Sequence, residues 1–222
     1  MFEIIKSSSK GNAYLFDDTI LIDCGIAFKH LESYIDKIKL VLLTHEHSDH
    51  VNVPTLKKLI NEHEKKVVAP IYLRDKLKDI NNINFVTTDT VINTKKYTIS
   101  MYELEHDVDN VGYFITNKFT SKNHLHITDT FNTPTIDKRI HSLSIETNYC
   151  ECKIDELIED DINNDRYSHY VRSRKNHLSV QKALKFIDEK NIKLFWTLHK
   201  SVKMEDEINK LIEEFKNERE IF

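Results

Sequence analysis

The feature that most constrains this chain is a run of six residues, His45-Glu46-His47-Ser48-Asp49-His50, directly behind the continuous apolar segment Lys39–Thr44. A short, unbroken apolar run reads as a strand buried on both faces. A His-x-His-x-Asp-His sequence at its end concentrates metal-type ligands where a strand gives way to a turn. Alternate residues of an extended chain project to the same side, so His45 and His47 are able to share one cation. Asp49 and His50 follow as the chain turns and reach a second. Imidazole and carboxylate suit zinc, manganese or iron, and two cations need more ligands than this run supplies. Candidates stand at the ends of other predicted strands: His106 after Tyr97–Glu105, Asp129 after His124–Thr128, and His199 after Ile192–Thr197.

The pattern elsewhere alternates strands and helices. Phe2–Ile5, Val67–Ala69, Val111–Thr116 and Leu143–Thr147 read as strands, and Ala13–Phe16 with Thr19–Asp23 as a hairpin turned at Asp17-Asp18. Helical spacing is expected over Lys29–Lys37, Pro54–Glu64, Leu73–Ile80, Ile154–Ile162, Ser179–Lys190 with Ser179 as N-cap, and Met204–Asn217. No repeat or Pro/Ser-rich linker interrupts the chain, so residues 1–222 are read as a single domain. Strand runs that precede helices in both halves predict an α/β fold of two mixed sheets with helices outside.

Composition narrows the function classes. Only 3 glycines leave no Gly-rich phosphate loop. A net charge of −4 argues against a generally basic nucleic-acid coat protein, so nucleic-acid contact needs a local patch. No apolar run approaches the length of a membrane span, and Met1–Lys10 lacks the pattern of a signal peptide; the expected location is cytoplasmic. The 3 cysteines, Cys24, Cys150 and Cys152, make no disulfide framework and read as free intracellular thiols.

The order Asp23 (in Leu21-Ile22-Asp23-Cys24-Gly25), His45-x-His47-x-Asp49-His50, His106, Asp129 and His199 resembles the metallo-β-lactamase superfamily over nearly the whole chain. The resemblance implies a four-layer αβ/βα sandwich with a two-metal site. It implies that His45, His47 and His106 hold one metal ion, that Asp49, His50 and His199 hold the other, and that Asp129 bridges them, with Asp23 orienting the motif from behind. Zn2+ is the expected ion and Mn2+ is compatible. Within the superfamily the chain is most similar to the YycJ/WalJ-type group. It shares that group's opening Ser7-Ser8-Ser9-Lys10-Gly11-Asn12 loop, His106-Asp107, Ile127-Thr128-Asp129-Thr130, Glu146-Thr147-Asn148 and His199-Lys200-Ser201. It departs from the group at Phe131 and Tyr149. His177, in Asn176-His177-Leu178-Ser179, matches the non-ligand His that ribonuclease Z enzymes and PhnP-type phosphodiesterases place against the phosphoryl group.

The resemblance therefore implies a two-metal phosphodiester hydrolase, foremost a nuclease on single-stranded DNA or RNA ends. Asp49 is expected to accept the proton of the attacking water, and His177 to donate to the leaving oxygen or hold a non-bridging one. Ser7, Ser9, Asn12 and Ser201 are candidate phosphate donors. Arg172, Arg174 and Lys175, with Tyr167, His169 and Tyr170 upstream, combine charge for phosphates with rings for bases. Alternatives carried forward are a phosphodiesterase for a small cyclic nucleotide or phosphonate ester, a thioester hydrolase, and a non-catalytic binding protein on the same scaffold.

Overall fold

The computed structural model describes residues 1–220; the last two residues of the expected 1–222 domain lie outside the described residues. The chain forms two compact units, residues 1–90 with 108–111, and residues 91–107 with 112–222, the latter described as far as 220.

The first unit is built on a six-stranded sheet in sequential order, β1 (Phe2–Lys6), β2 (Ala13–Phe16), β3 (Ile20–Ile22), β4 (Leu40–Leu42), β5 (Lys66–Pro70) and β6 (Ile83–Val86). β1 to β3 are antiparallel and β3 to β6 parallel, so the sheet is mixed. The predicted hairpin forms. Asp17 and Asp18 take φ of 48° and 57°, the doubly left-handed geometry that matches strand twist in a tight hairpin. β4 is buried throughout, as its apolar sequence requires. Helix α1 (Val53–Asn61) starts where Pro54 suggests. Its N-cap is Asn52, whose side chain accepts from the Thr55 amide at 3.0 Å. Leu56 and Leu59 from α1 join Leu21, Val41, Leu43 and Val67 in one apolar core.

Two expected helices are absent. Over Lys29–Lys37 the chain makes two short 3-10 turns, Phe28–His30 and Glu32–Tyr34. Over Leu73–Ile80 only the turn Ile71–Leu73 is helical, and of 3-10 type. Leu31, Ile35, Leu73 and Leu77 are nevertheless buried. Their four-residue spacing reflects anchoring of a connection on the core, which does not require the α-helical hydrogen-bond ladder.

The second unit carries the other mixed six-stranded sheet, in the order β12-β11-β10-β9-β8-β7. These are β7 (Ile92–Asn93), β8 (Tyr97–Leu104), β9 (Asn110–Asn117), β10 (Asn123–Ile127), β11 (Ser142–Glu146) and β12 (Leu194–Leu198). β10, β11 and β12 run parallel, so their C-terminal ends meet at one edge. The helices are α2 (Glu151–Asn163), α3 (His169–Asn176), α4 (Val180–Glu189) and α5 (Glu205–Glu220). Ser179 caps α4 as predicted, accepting from the Lys182 amide at 3.1 Å. α3 has no apolar stripe in the sequence, which explains why periodicity does not find it. Leu125, Ile127, Leu143 and Ile145 from the sheet pack with Ile154, Leu184, Ile187 and Ile208 from the helices.

The cysteines depart from expectation. Cys150 and Cys152 form a disulfide, with Cα atoms 5.2 Å apart. The cause is local: Cys150 is extended and N-caps α2, so the chain folds back within two residues and brings the sulfurs together. Cys24 is a buried free thiol; burial and the neighbouring Asp23 charge both push its pKa up. Thiol titration is thus expected to find no reactive group in the native protein. It should find one in denaturant without reductant, and all 3 once denatured and reduced. Three reactive thiols before reduction would contradict the pairing.

Candidate metal centre

In the first unit the site is organised by Asp23, fully buried at the end of β3 with φ of 59°. Its Oδ1 accepts from the Thr44 amide at 2.8 Å. Oδ2 accepts from the Thr44 hydroxyl at 2.8 Å and from His50 Nδ1 at 2.7 Å. Burial pushes the Asp23 pKa up, with the His50 charge and these hydrogen bonds opposing it. Because the Thr44 hydroxyl spends its proton on Asp23, it accepts from His45 Nδ1, 3.0 Å away. The ring orientations follow: His45 and His50 each donate through Nδ1, which leaves Nε2 as the nitrogen able to ligate a cation. His45 Nε2 lies 3.2 Å from His47 Nδ1. Two ligands about 2.0–2.1 Å from a tetrahedral zinc stand roughly that far apart, so this pair fits a shared cation.

Asn12 changes role. It was expected to hold phosphate, but it is fully buried and its amide is engaged. Nδ2 sits 2.9 Å from His50 Nε2, 3.1 Å from Asp49 Oδ2 and 3.0 Å from the Ser8 carbonyl. Oδ1 accepts from the Ser8 amide and the Tyr14 hydroxyl. Asn12 therefore positions Asp49 and His50 rather than a substrate. The loop behind the motif is equally tight: a Cβ on Gly25 would fall 1.7 Å from the Asp49 carbonyl oxygen, so only glycine fits there. Of the serines, Ser9 is exposed, while Ser7 is half-buried with its hydroxyl 2.9 Å from that of Tyr14.

In the second unit the parallel strands deliver Asp129 just after β10, Glu146 at the end of β11 and His199 just after β12. Asp129 and His199 take φ of 49° and 51°, left-handed geometry that Asp and His tolerate better than most residues. Glu146 is fully buried and accepts four hydrogen bonds. Oε1 takes His177 Nδ1 at 2.6 Å and His199 Nδ1 at 2.9 Å. Oε2 takes the Thr130 and Leu178 amides at 2.9 and 3.1 Å. Burial alone would raise the Glu146 pKa; the His177 charge and the hydrogen bonds from His177 and His199 outweigh it and hold the carboxyl below its ordinary value. Burial likewise disfavours charged His177, but Glu146, with Asp129 and Asp107, reverses this and raises His177 to about 9. His177 Nδ1–H is committed to Glu146.

His106 lies in the same unit, its ring centroid 5.2 Å from that of His177. His106 Nδ1 donates to the Asn176 carbonyl at 2.9 Å, leaving Nε2 3.1 Å from Asp107 Oδ1 and 3.9 Å from Asp129 Oδ2. A ring nitrogen close to two carboxylate oxygens is a donor set that suits a cation. Single ligand atoms of Asp129, Glu146, His177 and His199 also lie within 4.8 Å of one another. Each unit therefore holds a preorganised set of imidazoles and carboxylates. Glu146 was legible only as part of the Glu146-x-Asn148 segment; its role as hub depends on strand register. Asn148, beside it, donates to the His199 carbonyl at 2.9 Å, and its own carbonyl accepts from the Ser201 amide.

Residues 18–199 match the β-lactamase superfamily domain. The chain belongs to that superfamily. It is 29% identical over 115 residues to ribonuclease J of Mycoplasma genitalium, covering 41% of this chain and spanning only 20% of that relative's length. Among solved structures, YhfI of Bacillus subtilis, a metallo-β-lactamase fold protein, aligns with a TM-score of 0.69 at 17% identity, over 94% of this chain and 90% of its own. The short form of human tRNase Z aligns with a TM-score of 0.67 at 14% identity, over 91% and 93%. These likenesses show the α/β metallo-β-lactamase fold, which binds divalent metals, commonly zinc. The superfamily includes hydrolases that act on phosphodiesters. Among the described residues, no helix is long and apolar enough to cross a membrane.

Removing the Asp23 carboxylate charge in Asp23→Asn should weaken metal binding about 10–100-fold, since orienting partners of ligating histidines carry effects of that size. Competition with a chromogenic chelator measures it. Gly25→Ala should lower stability by at least about 1 kcal/mol in urea unfolding, because the Asp49 backbone must move to admit the methyl group.

Proposed function

We propose that the two sets act together, within one domain, as a two-metal phosphodiester hydrolase whose foremost substrate is a nucleic-acid strand with a single-stranded end. The observation that carries this reading is the Glu146–His177 pair: Glu146 accepts from His177 Nδ1 at 2.6 Å, and the His177 ring stands with its centroid 5.1 Å from that of His199. A purely structural metal site has no need of a carboxylate-oriented imidazole next to it.

In this reading His45, His47 and His106 would hold one cation, Asp49, His50 and His199 would hold the other, and Asp129 would serve both. Bound there, Zn2+ or Mn2+ would supply Lewis acidity, lowering the pKa of a water and offsetting charge on the non-bridging phosphoryl oxygens. The remaining steps belong to the chain. Asp49, fixed by the Asn12 amide, accepts a proton from the attacking water. That water attacks phosphorus in line, and the bond to the leaving oxygen breaks. His177 delivers its Nε2 proton to that oxygen, while Glu146 keeps the ring oriented and stabilises its charge. Ser7, Ser9 and Ser201 are proposed phosphate donors at the rim. The expected location is cytoplasmic.

A digestion panel tests the substrate. End-labelled single-stranded DNA and RNA, cyclic dinucleotides and bis-p-nitrophenyl phosphate would be incubated with zinc-loaded and manganese-loaded protein. Shortening of labelled strands is expected; hydrolysis of small esters alone would move the assignment to a small-molecule phosphodiesterase, and an inert protein would favour a binding module. Replacing His177 by Ala should reduce kcat by about 10²–10⁴, the usual weight of a general acid, with metal content unchanged by elemental analysis. Equal loss of metal and activity would instead make His177 a ligand.

A further inference from the structure

The basic and aromatic segment before His177 folds into a groove of about 430 Å³ between the end of α2 and one side of α3. Its walls are apolar and open to solvent: Ile162, Tyr167 and Val171 are 62%, 75% and 39% exposed. At its base lies Ser168, only 8% exposed. Ser168 occupies the N-cap position of α3 yet its hydroxyl makes no capping bond and, among the described residues, has no hydrogen-bond partner. A buried hydroxyl ordinarily finds a partner, so this one is an unsatisfied polar group beneath the groove.

The charges are not equivalent. Arg166 is tied to Asp160 and Asp161, and Arg174 turns away to Asp155 of α2, so neither offers an uncompensated cation, and the expected trio is not a single patch. Arg172 lines the groove while ion-paired with Asp107, whose other oxygen faces His106. Lys175 lines it too and makes no ion pair among the described residues. The next residue, Asn176, closes the wall; its carbonyl holds His106 Nδ1, and His177 follows it in the chain.

We infer that this groove is a nucleotide subsite. A base lies against Tyr167 and the Ile162–Val171 wall, above Ser168, and the adjoining phosphate lies on Lys175. An apolar floor with one polar contact and a cationic rim is the chemistry of a nucleotide. Because the wall carries the backbone that positions His106 and His177, the subsite holds the part of the strand flanking the cleaved bond. The inference rests on the nuclease reading and gives it a mode of grip.

Fluorescence anisotropy with labelled oligoadenylate and oligothymidylate, on metal-free protein in EDTA, tests the grip apart from catalysis. Tyr167→Ala should weaken binding roughly 10-fold, as removal of one stacking ring does. Lys175→Gln should weaken it and lower the slope of log affinity against log salt by about one. Both positions are exposed, so the variants should keep wild-type melting temperatures. In the metal-loaded enzyme, the ratio of strand to bis-p-nitrophenyl phosphate kcat/KM should fall by a similar factor in each variant. Wild-type affinity in both variants, or no strand binding by wild type, overturns the subsite. Equal losses on strand and ester also overturn it, because the groove would then merely support His106 and His177. Cleavage of strands that ignores both substitutions removes the subsite and leaves the nuclease; Tyr167-dependent binding without cleavage of any strand does the reverse.

Discussion

Two fully buried carboxylates, Asp23 and Glu146, govern the chemistry of this protein. An ionised carboxylate out of water is tolerated only when its oxygens are saturated with donors or faced by positive charge. Each meets that demand with a mixture of backbone amides and histidine rings. Asp23 takes a backbone amide, a hydroxyl and His50; Glu146 takes two backbone amides, His177 and His199. The same bonds that make burial bearable dictate which ring nitrogen carries the proton and where each imidazole points. Stability and the geometry of the candidate site are therefore set by one group of interactions.

Topology explains why these carboxylates stand where they do. In the first unit the parallel neighbours β3 and β4 end together, which brings Asp23 against Thr44 and so against the run that starts at His45. In the second, three parallel strands end at one edge and release Asp129, Glu146 and His199 within reach of one another. Left-handed backbone at Asp23, Asp129 and His199 turns the chain sharply as each strand ends. Such conformations cost energy and persist where surrounding bonds fix them. Ligand-binding groups at the carboxyl ends of parallel strands follow a general tendency of open α/β sheets.

The two imidazoles nearest Glu146 show how one carboxylate assigns different tasks. His199 and His177 both donate through Nδ1 to the same oxygen. His177 has Asp129 and Asp107 as further negative neighbours, which raise its pKa.

Local sequence determined a good deal. The buried strand β4, the Asp17-Asp18 hairpin, the Pro54 and Ser179 helix starts and the metal-type donor types at strand ends all follow from periodicity, turn chemistry and ligand chemistry within a few residues. What depended on the tertiary structure is of another kind. Asn12 reads as a loop donor but is buried behind His50, because Gly25 permits that close approach; Glu146 becomes a hub because β11 lies between two strands that also end in site residues. Cys150 and Cys152 pair because α2 begins between them, and Arg174 leaves its basic neighbours because a helix points alternate side chains in different directions. Residue type fixes which chemistry is possible, while burial and register, which arise only when distant segments meet, decide which side chain performs it.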